Sequence, residues 1–474
     1  MTSAPPPLLL DALAARLGPK GFATDVDTMA PWLTDWRGKY YGRAAAMLSP
    51  ATTEEVAAVV RLCADAKVAL VPQGGNSGMV GGATPDASGD QLLLSLRRLN
   101  RIRHVDAAAQ IAVAEAGVIL QTFHEAVLAH GLRFPLTLGG KGSATIGGLV
   151  STNAGGTQVL RHGTMRALVA GIEAVLPDGQ IFDGLAPLKK DNRGYDLRHL
   201  LCGAEGTLGV VTAAALHLVP AAAARRTVWI GVDSPEVALA LLRRLDAAIG
   251  RTLEGFELIP HSCLDAVLRH IPGTRAPLAA AHPWYVLAEL AGDDDGALGA
   301  MLEAQLAAAL DAGLVRDVAL AKNDRESEDF WRLRDSISEA ERTDGPALQH
   351  DISVPVDRMP AFIADNPARL AAAFPGARAL SFGHLGDGNV HHHVQPPPGV
   401  DGAAWIAEHG AALSRIVYTH VIEMGGSISA EHGIGQMKRD ILAELDSPAR
   451  LAALRAVKQG LDPAGLFNPG KLIG

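Results

Sequence analysis

Residues 72–82 read Pro-Gln-Gly-Gly-Asn-Ser-Gly-Met-Val-Gly-Gly, with five glycines in eleven positions. Glycine accepts φ of either sign, so such a run lets successive backbone N–H groups turn toward one point. A concavity of that kind binds phosphate oxygens without a cationic side chain. A plain glycine-rich turn is the competing reading of this loop taken alone. The loop is entered from Val68–Val71, which reads as a strand, and is followed by Ala-Thr-Pro-Asp-Ala-Ser-Gly-Asp, which cannot open a helix at once. A nicotinamide-type loop needs strand, GxGxxG and an immediate helix, so it is excluded. No GxxxxGK[ST] occurs, which removes the nucleoside triphosphatase P-loop as well.

Three further segments repeat the theme: Gly139-Gly-Lys-Gly-Ser-Ala-Thr-Ile-Gly-Gly148, Thr152-Asn-Ala-Gly-Gly156 and Gly203-Ala-Glu-Gly-Thr-Leu-Gly209. Four such loops in one region imply backbone wrapped around a long ligand carrying a pyrophosphate and flat rings. Around them, Thr52 and Glu55 have capping-box spacing ahead of Val56, Val59, Val60 and Cys63 at helical intervals. Strands are expected at Leu92–Leu96, Ile111–Ala114 and Gly171–Leu176. Pro220-Ala-Ala-Ala-Ala-Arg-Arg226 reads as a linker. Beyond it come a strand at Val228–Gly231, a helix over Ser234–Gly250, a strand near Phe256 and a helix over Ala297–Ala312. That alternation predicts a second α+β domain with an antiparallel sheet.

The chain has 474 residues, 48% hydrophobic and 20% charged, enough for two or three domains. Its net charge of −9 speaks against nucleic acid, which asks for a basic face. Cys63, Cys202 and Cys263 form no CxxC pair, which fits a reducing compartment and excludes a cysteine-rich zinc site. Met1–Leu10 lacks the basic flank of a signal peptide, and no apolar run reaches the ~20 residues of a membrane span. A cytoplasmic protein is expected, with peripheral docking at the inner membrane compatible.

A second group of motifs carries chemistry. Gly383-His-Leu-Gly-Asp-Gly-Asn-Val-His-His-His393 places His384 and His391 on either side of a Gly-Asp-Gly turn. Ser429-Ala-Glu-His-Gly-Ile-Gly435 sets a carboxylate beside an imidazole in a glycine-flanked loop. Two histidines and one carboxylate leave a coordination position open, the arrangement of a catalytic zinc. The bland alternative is a polar surface run of His391, His392 and His393 with a solvated Glu431.

These segments, together with Arg161–Gly179, Lys189–Thr212 and Leu461–Leu472, resemble the vanillyl-alcohol oxidase-type flavoproteins, and within them the D-lactate and D-2-hydroxyglutarate dehydrogenase group. The resemblance implies an α+β fold. Two α+β subdomains would grip FAD over 1–222, a ferredoxin-like substrate and metal domain would fill 223–430, and 431–474 would return to the flavin. It implies FAD contacts from Pro72, Gly74, Gly75, Asn76, Ser77, Gly78 and Gly81 in the first loop, and from Gly142, Ser143, Gly147 and Gly148 in the second. Thr152, Asn153, Gly155 and Gly156 would follow, then Glu205, Gly206, Gly209 and Val210, with Asn389 and Asn468 completing the set. No His or Cys stands beside Asn76, so the FAD is expected to be noncovalent.

Carried over residue by residue, His384, His391 and Glu431 would hold a divalent metal, zinc first or manganese, and His432 would be the base. Arg334 and Ser338 would meet the substrate carboxylate. The expected reaction is oxidation of a D-2-hydroxy acid to the 2-oxo acid. Two positions depart from the family pattern: Gln349 stands where enzymes of 2-hydroxyglutarate have a lysine, and His393 where an asparagine is usual. A buried second carboxylate without a cation is costly, so lactate or a larger apolar homologue is expected ahead of 2-hydroxyglutarate. D-2-hydroxyglutarate dehydrogenase is the alternative, and a zinc hydrolase or a vestigial flavin protein are the readings from other classes. A quinone, an electron-transfer flavoprotein, a cytochrome or oxygen all suit as electron acceptor, and the family suggests a homodimer.

Overall fold

The computed structural model describes residues 4–473; Met1 to Ser3 of the leading stretch and the final glycine lie outside the described residues. The chain divides into two compact units. One comprises residues 1–156, 163–221 and 431–474, the other 157–162 and 222–430. Among the described residues no helix is long and apolar enough to cross a membrane.

In the first unit, Thr52 caps the helix Thr53–Ala66 by accepting the N–H of Glu55, and Glu55 in turn accepts the N–H of Ala51. The helix buries Val56, Val59, Val60 and Cys63 and leads into the strand Leu70–Gln73, two residues later than its apolar run suggests. This strand lies at the edge of a four-stranded sheet, parallel to Leu92–Ser95. A separate five-stranded antiparallel sheet runs in the order Ile102–Asp106, Ile111–Glu115, Val210–His217, Val169–Val175, Ile181–Gly184. The C-terminal segment closes onto the first sheet: Phe467 bridges Leu70, and the Asn468 N–H donates to the Leu70 carbonyl at 2.8 Å.

The second unit is built on a seven-stranded antiparallel sheet in the order Asp317–Leu320, Ala224–Val232, Trp284–Gly292, Leu253–Pro260, Arg378–His384, Asn389–Gln395, Leu348–Ser353. On one face Trp229, Ile259, Tyr285, Leu287 and Phe382 pack under the helices His261–His270, Asp324–Asp335 and Ile337–Asp344. The linker read at 220–226 already contains the start of the strand Ala224–Val232.

Candidate functional site

The glycine loops of the first unit pack on one another. A Cβ at Gly75 would stand 1.8 Å from the Ser143 carbonyl oxygen, and one at Gly74 would stand 2.2 Å from Thr145 Oγ1, so side chains there would separate the first two loops. Gly78 and Gly142 meet nothing within 4 Å on the Cβ side, so there the loops border open space. Gly147, Gly148 and Thr152 lie on the helix Ile146–Thr152, whose end is Asn153 in the left-handed region. Asn76, also left-handed, donates to the Pro31 and Thr34 carbonyls. Asn468 donates to the carbonyls of Gly82 and Glu205, tying the first and fourth loops together. Thr84 Oγ1, Thr145 Oγ1 and Asn468 Oδ1 are buried without a hydrogen-bond partner among the described residues. Buried polar atoms ordinarily have partners. Orphaned atoms beside loops that border open space fit a bound dinucleotide. Pro72, Ser77, Gly81, Ser143, Gly155, Gly156, Gly206, Gly209 and Val210 belong to the same unit.

Glu205, expected among the cofactor contacts, also holds another part of the chain. Both carboxylate oxygens are taken by backbone N–H groups, of Ile434 and Gly435, each at 2.7 Å. Burial pushes this carboxyl's pKa up, against those two hydrogen bonds. Its side chain therefore clamps the loop that begins with Glu431 and His432.

In the second unit three adjacent strands form a grid. Pairing sets Ser353, Asn389 and His384 on one rung, Asp351, His391 and Phe382 on the next, and Gln349, His393 and Leu380 on the third. Side chains alternate along a strand, so these nine share a face while His350, Ser381 and His392 share the other. The turn before Asn389 needs glycine: Gly388 has φ +84°, and a Cβ at Gly383 would meet the Asn389 carbonyl oxygen at 2.5 Å. The histidine run is thus no surface feature, since His392 and His393 are buried and His391 nearly so.

Two acids that sequence reading left without a role organise this face. Glu257 is buried, accepts Nδ1–H of His384 at 2.5 Å and accepts Nε–H of Arg334 at 2.8 Å. Burial opposes its charge, but Arg334 and His384 outweigh it and hold its pKa down at about 2. Nδ1 of His384 donates to Glu257, and its other nitrogen, Nε2, lies 3.2 Å from Arg334 Nη2. Burial likewise holds the His391 imidazole well below its usual pKa, and the neutral ring is the ligating form. Glu341, seven residues after Arg334, pairs with His393 Nδ1, and its other oxygen is buried with no partner among the described residues. Asn389 donates to Asp351 Oδ1 and the Ile352 carbonyl, both at 2.9 Å, and its own Oδ1 is likewise unpartnered. Ser338 lies half-buried one turn after Arg334.

Ser427 bridges Ser353 beside this sheet. His384 and His391 belong to the second unit, whereas Glu431 and His432 belong to the first. Two imidazole nitrogens and one carboxylate, the set expected from the sequence, are donor types that suit zinc or another divalent ion.

Comparison with known proteins agrees with this architecture. The family described as FAD binding domain matches residues 44–184, and that of FAD linked oxidases, C-terminal domain, matches residues 221–472. The chain is 38% identical over 466 residues to the mitochondrial D-2-hydroxyglutarate dehydrogenase of Bos taurus, covering 98% of this chain and 83% of that one. It is 36% identical to D-2-hydroxyglutarate dehydrogenase of Xanthomonas citri pv. viticola, covering 93% and 91%. It is 32% identical to D-2-hydroxyglutarate–pyruvate transhydrogenase DLD3 of Saccharomyces cerevisiae, covering 94% and 90%. Among solved structures, p-cresol methylhydroxylase superposes with a TM-score of 0.75 at 14% identity over 98% of this chain and 96% of that one. An alkyldihydroxyacetonephosphate synthase does so with 0.74 at 15% over 99% and 87%. These last two show the fold, which is of the vanillyl-alcohol oxidase type. With both halves matched and relatives aligned almost end to end, the chain belongs to the FAD-linked D-2-hydroxy acid dehydrogenase family of oxidoreductases.

Proposed function

We propose that this chain oxidises D-2-hydroxyglutarate to the 2-oxo acid on the face formed by His384, His391 and their neighbours. The observation that carries the reading is 38% identity over 98% of the chain to an enzyme named for that acid. The preference for a monoacid, expected from Gln349, is less well supported, since relatives from animals, plants, bacteria and yeast carry names of the diacid. A zinc hydrolase leaves the FAD binding domain match unexplained.

FAD, when bound, supplies the two-electron acceptor that no side chain provides. His384, His391 and Glu431 would hold a divalent ion, which there would lower the pKa of the substrate hydroxyl. The remaining steps belong to the chain's own groups. His432 takes the hydroxyl proton, a task suited to an imidazole at neutral pH. Arg334 receives the C1 carboxylate. Its Nε is spent on Glu257, which fixes the plane of the guanidinium before substrate arrives, and such a fork can engage a carboxylate through two N–H donors. The buried position of Glu257 keeps its negative charge from being screened by solvent, so Arg334 and His384 are oriented in the resting protein.

The test is an anaerobic screen of D- and L-2-hydroxy acids, read by bleaching of the flavin band. D-2-Hydroxyglutarate should bleach it fastest. Bleaching by L acids alone, or by none, refutes the reading.

A further inference from the structure

We propose that residues 157–162 position the turn between His384 and His391, so that a dinucleotide held at the third glycine loop tightens the grip of those two imidazoles on a divalent ion. This rests on the reading of His384 and His391 as metal ligands and adds a link between them and the cofactor.

Residues 157–162 leave the third glycine loop after Gly156 and return at Gly163, yet they fold with the second unit. Within them Val159–His162 forms one helical turn against the strand Leu253–Pro260. Arg161 Nη1 donates to Glu254 Oε1 at 2.7 Å and to the Ala291 carbonyl at 3.1 Å, so it ties together two neighbouring strands of the sheet. His162 Nε2 lies 3.2 Å from the same Glu254 oxygen. Leu160 packs on Gly386, in the turn between His384 and His391. A Cβ at Gly386 would stand 2.9 Å from Leu160 Cδ2, so the glycine admits that side chain.

Glu254 marks this as a built contact. It is 1% exposed, and a buried carboxylate is costly unless it is paired. The pairing of Leu253–Pro260 with Trp284–Gly292 shifts register between Leu253 and Gly255. A bulge of that kind takes one residue out of the alternation and re-aims its side chain. The residue is Glu254, and its side chain meets Arg161 and His162. Farther along the same strand, the Phe256 carbonyl accepts the Gly386 N–H at 3.4 Å, and Glu257 holds His384 and Arg334. Segment, strand and turn therefore meet at Gly386.

These contacts lie within the second unit, and the link to the first is the peptide chain itself. Gly155 and Gly156 close the third glycine loop, and glycine gives a backbone several states of similar energy. A dinucleotide that binds one of those states fixes where residue 157 begins. A fixed beginning favours the seated form of Leu160 and Arg161, and with it one form of the turn. Coupling through populations is reciprocal, so an ion on the two histidines must tighten FAD by the factor with which FAD tightens the ion.

The test uses the FAD-loaded full chain, as the parent and as Leu160→Ala, Arg161→Met and Arg161→Lys. FAD dissociation on dilution is followed by the fluorescence of released flavin, once with saturating zinc chloride and once after chelation. In the parent the ion should tighten FAD by about 5- to 150-fold, the usual range of coupling. Leu160→Ala and Arg161→Met should bring that factor close to one. Arg161→Lys keeps a cation against Glu254 and should keep part of the factor, which a general loss of packing would not do. Leu160 is half-buried, so Leu160→Ala answers the question if Arg161→Met does not fold. A factor of one in the parent, or the parent's factor retained in Leu160→Ala, overturns the proposal. A parent that binds no zinc refutes the metal reading instead, and amide hydrogen exchange over residues 384–391 then decides. Faster exchange on release of FAD in the parent, without such a change in Leu160→Ala, upholds the link from cofactor to turn; the same change in both overturns it.

Discussion

Replacing Glu205 by Gln isolates the clamp on the Glu431–His432 loop. In the parent, two carboxylate oxygens each accept one backbone N–H at 2.7 Å, from Ile434 and Gly435. Glutamine offers one carbonyl oxygen, and its amide N–H₂ then faces a backbone donor. A hydrogen bond to a charged group is worth about 1.5–3 kcal/mol net, and a buried donor left facing another donor adds to that. Against this, burial already raises the pKa of the Glu205 carboxyl, so removing its charge relieves part of the desolvation cost. The net expectation is a loss of about 2–3 kcal/mol. For a unit of this size that corresponds to a fall in Tm of roughly 4–12 °C, at about 2–4 °C per kcal/mol. Scanning calorimetry of the FAD-loaded full chain reads the first number. Stopped-flow flavin reduction reads the second consequence: a loosened loop displaces His432, and displacement of about 1 Å can cost ~10² in rate. Glu205→Gln with the parent's Tm and the parent's reduction rate would show that the two bonds carry neither stability nor alignment.

Four other outcomes are expected. His384→Ala or Glu431→Ala should abolish turnover while FAD stays bound, as should prolonged chelation, and a divalent ion should restore the chelated parent; full activity in the metal-free protein refutes the assignment. His432→Asn should slow flavin reduction by about 10²–10⁴-fold with metal content unchanged, measured by stopped flow and metal analysis. Glu257→Gln should weaken metal binding by about 10- to 100-fold, since one acceptor oxygen and the negative charge behind the His384 ring are lost, and cost about 3–5 kcal/mol in unfolding by removing the buried charge that faces the Arg334 guanidinium. Acid precipitation should leave the yellow chromophore in the supernatant, because Asn76 occupies the first loop with no His or Cys beside it; colour in the pellet would mean a covalent bond.

The parts of this protein legible in the sequence are those with local signatures. Thr52 caps its helix because capping chemistry is contained in four residues. The glycine loops announce themselves because phosphate-binding backbone excludes side chains. The His384–His391 pair is legible because a Gly-Asp-Gly turn joins the two strands that carry it. What escaped is non-local. Glu257 stands in Leu253–Pro260, a strand buried along its whole length. A charge inside such a run was a signal that a partner existed, though nothing named Arg334 or His384. Glu341 lies in a polar helix where one more acid attracts no notice, and only the fold brings it to His393. His392 and His393 read as a surface run because composition cannot reveal burial; alternation along the strand sends them to opposite faces. Gln349 was read as a missing charge, whereas strand pairing sets it beside a histidine that has an acid of its own.

The ties that Asn468 makes to Gly82 and Glu205 carry a consequence for how the protein is made. The chain must be synthesised through residue 468 before the first glycine loop, complete 386 residues earlier, can find this partner. At 5–20 residues per second that interval is about 20–80 s. Contacts this distant in sequence are the slow ones to form. During that time the loop has its glycines but not its seal, and the edge strand Leu70–Gln73 lacks Phe467 beside it. Stable capture of the dinucleotide is therefore expected only once residue 468 has been made, and a chain cut ahead of Phe467 would retain all four glycine loops and hold its cofactor poorly.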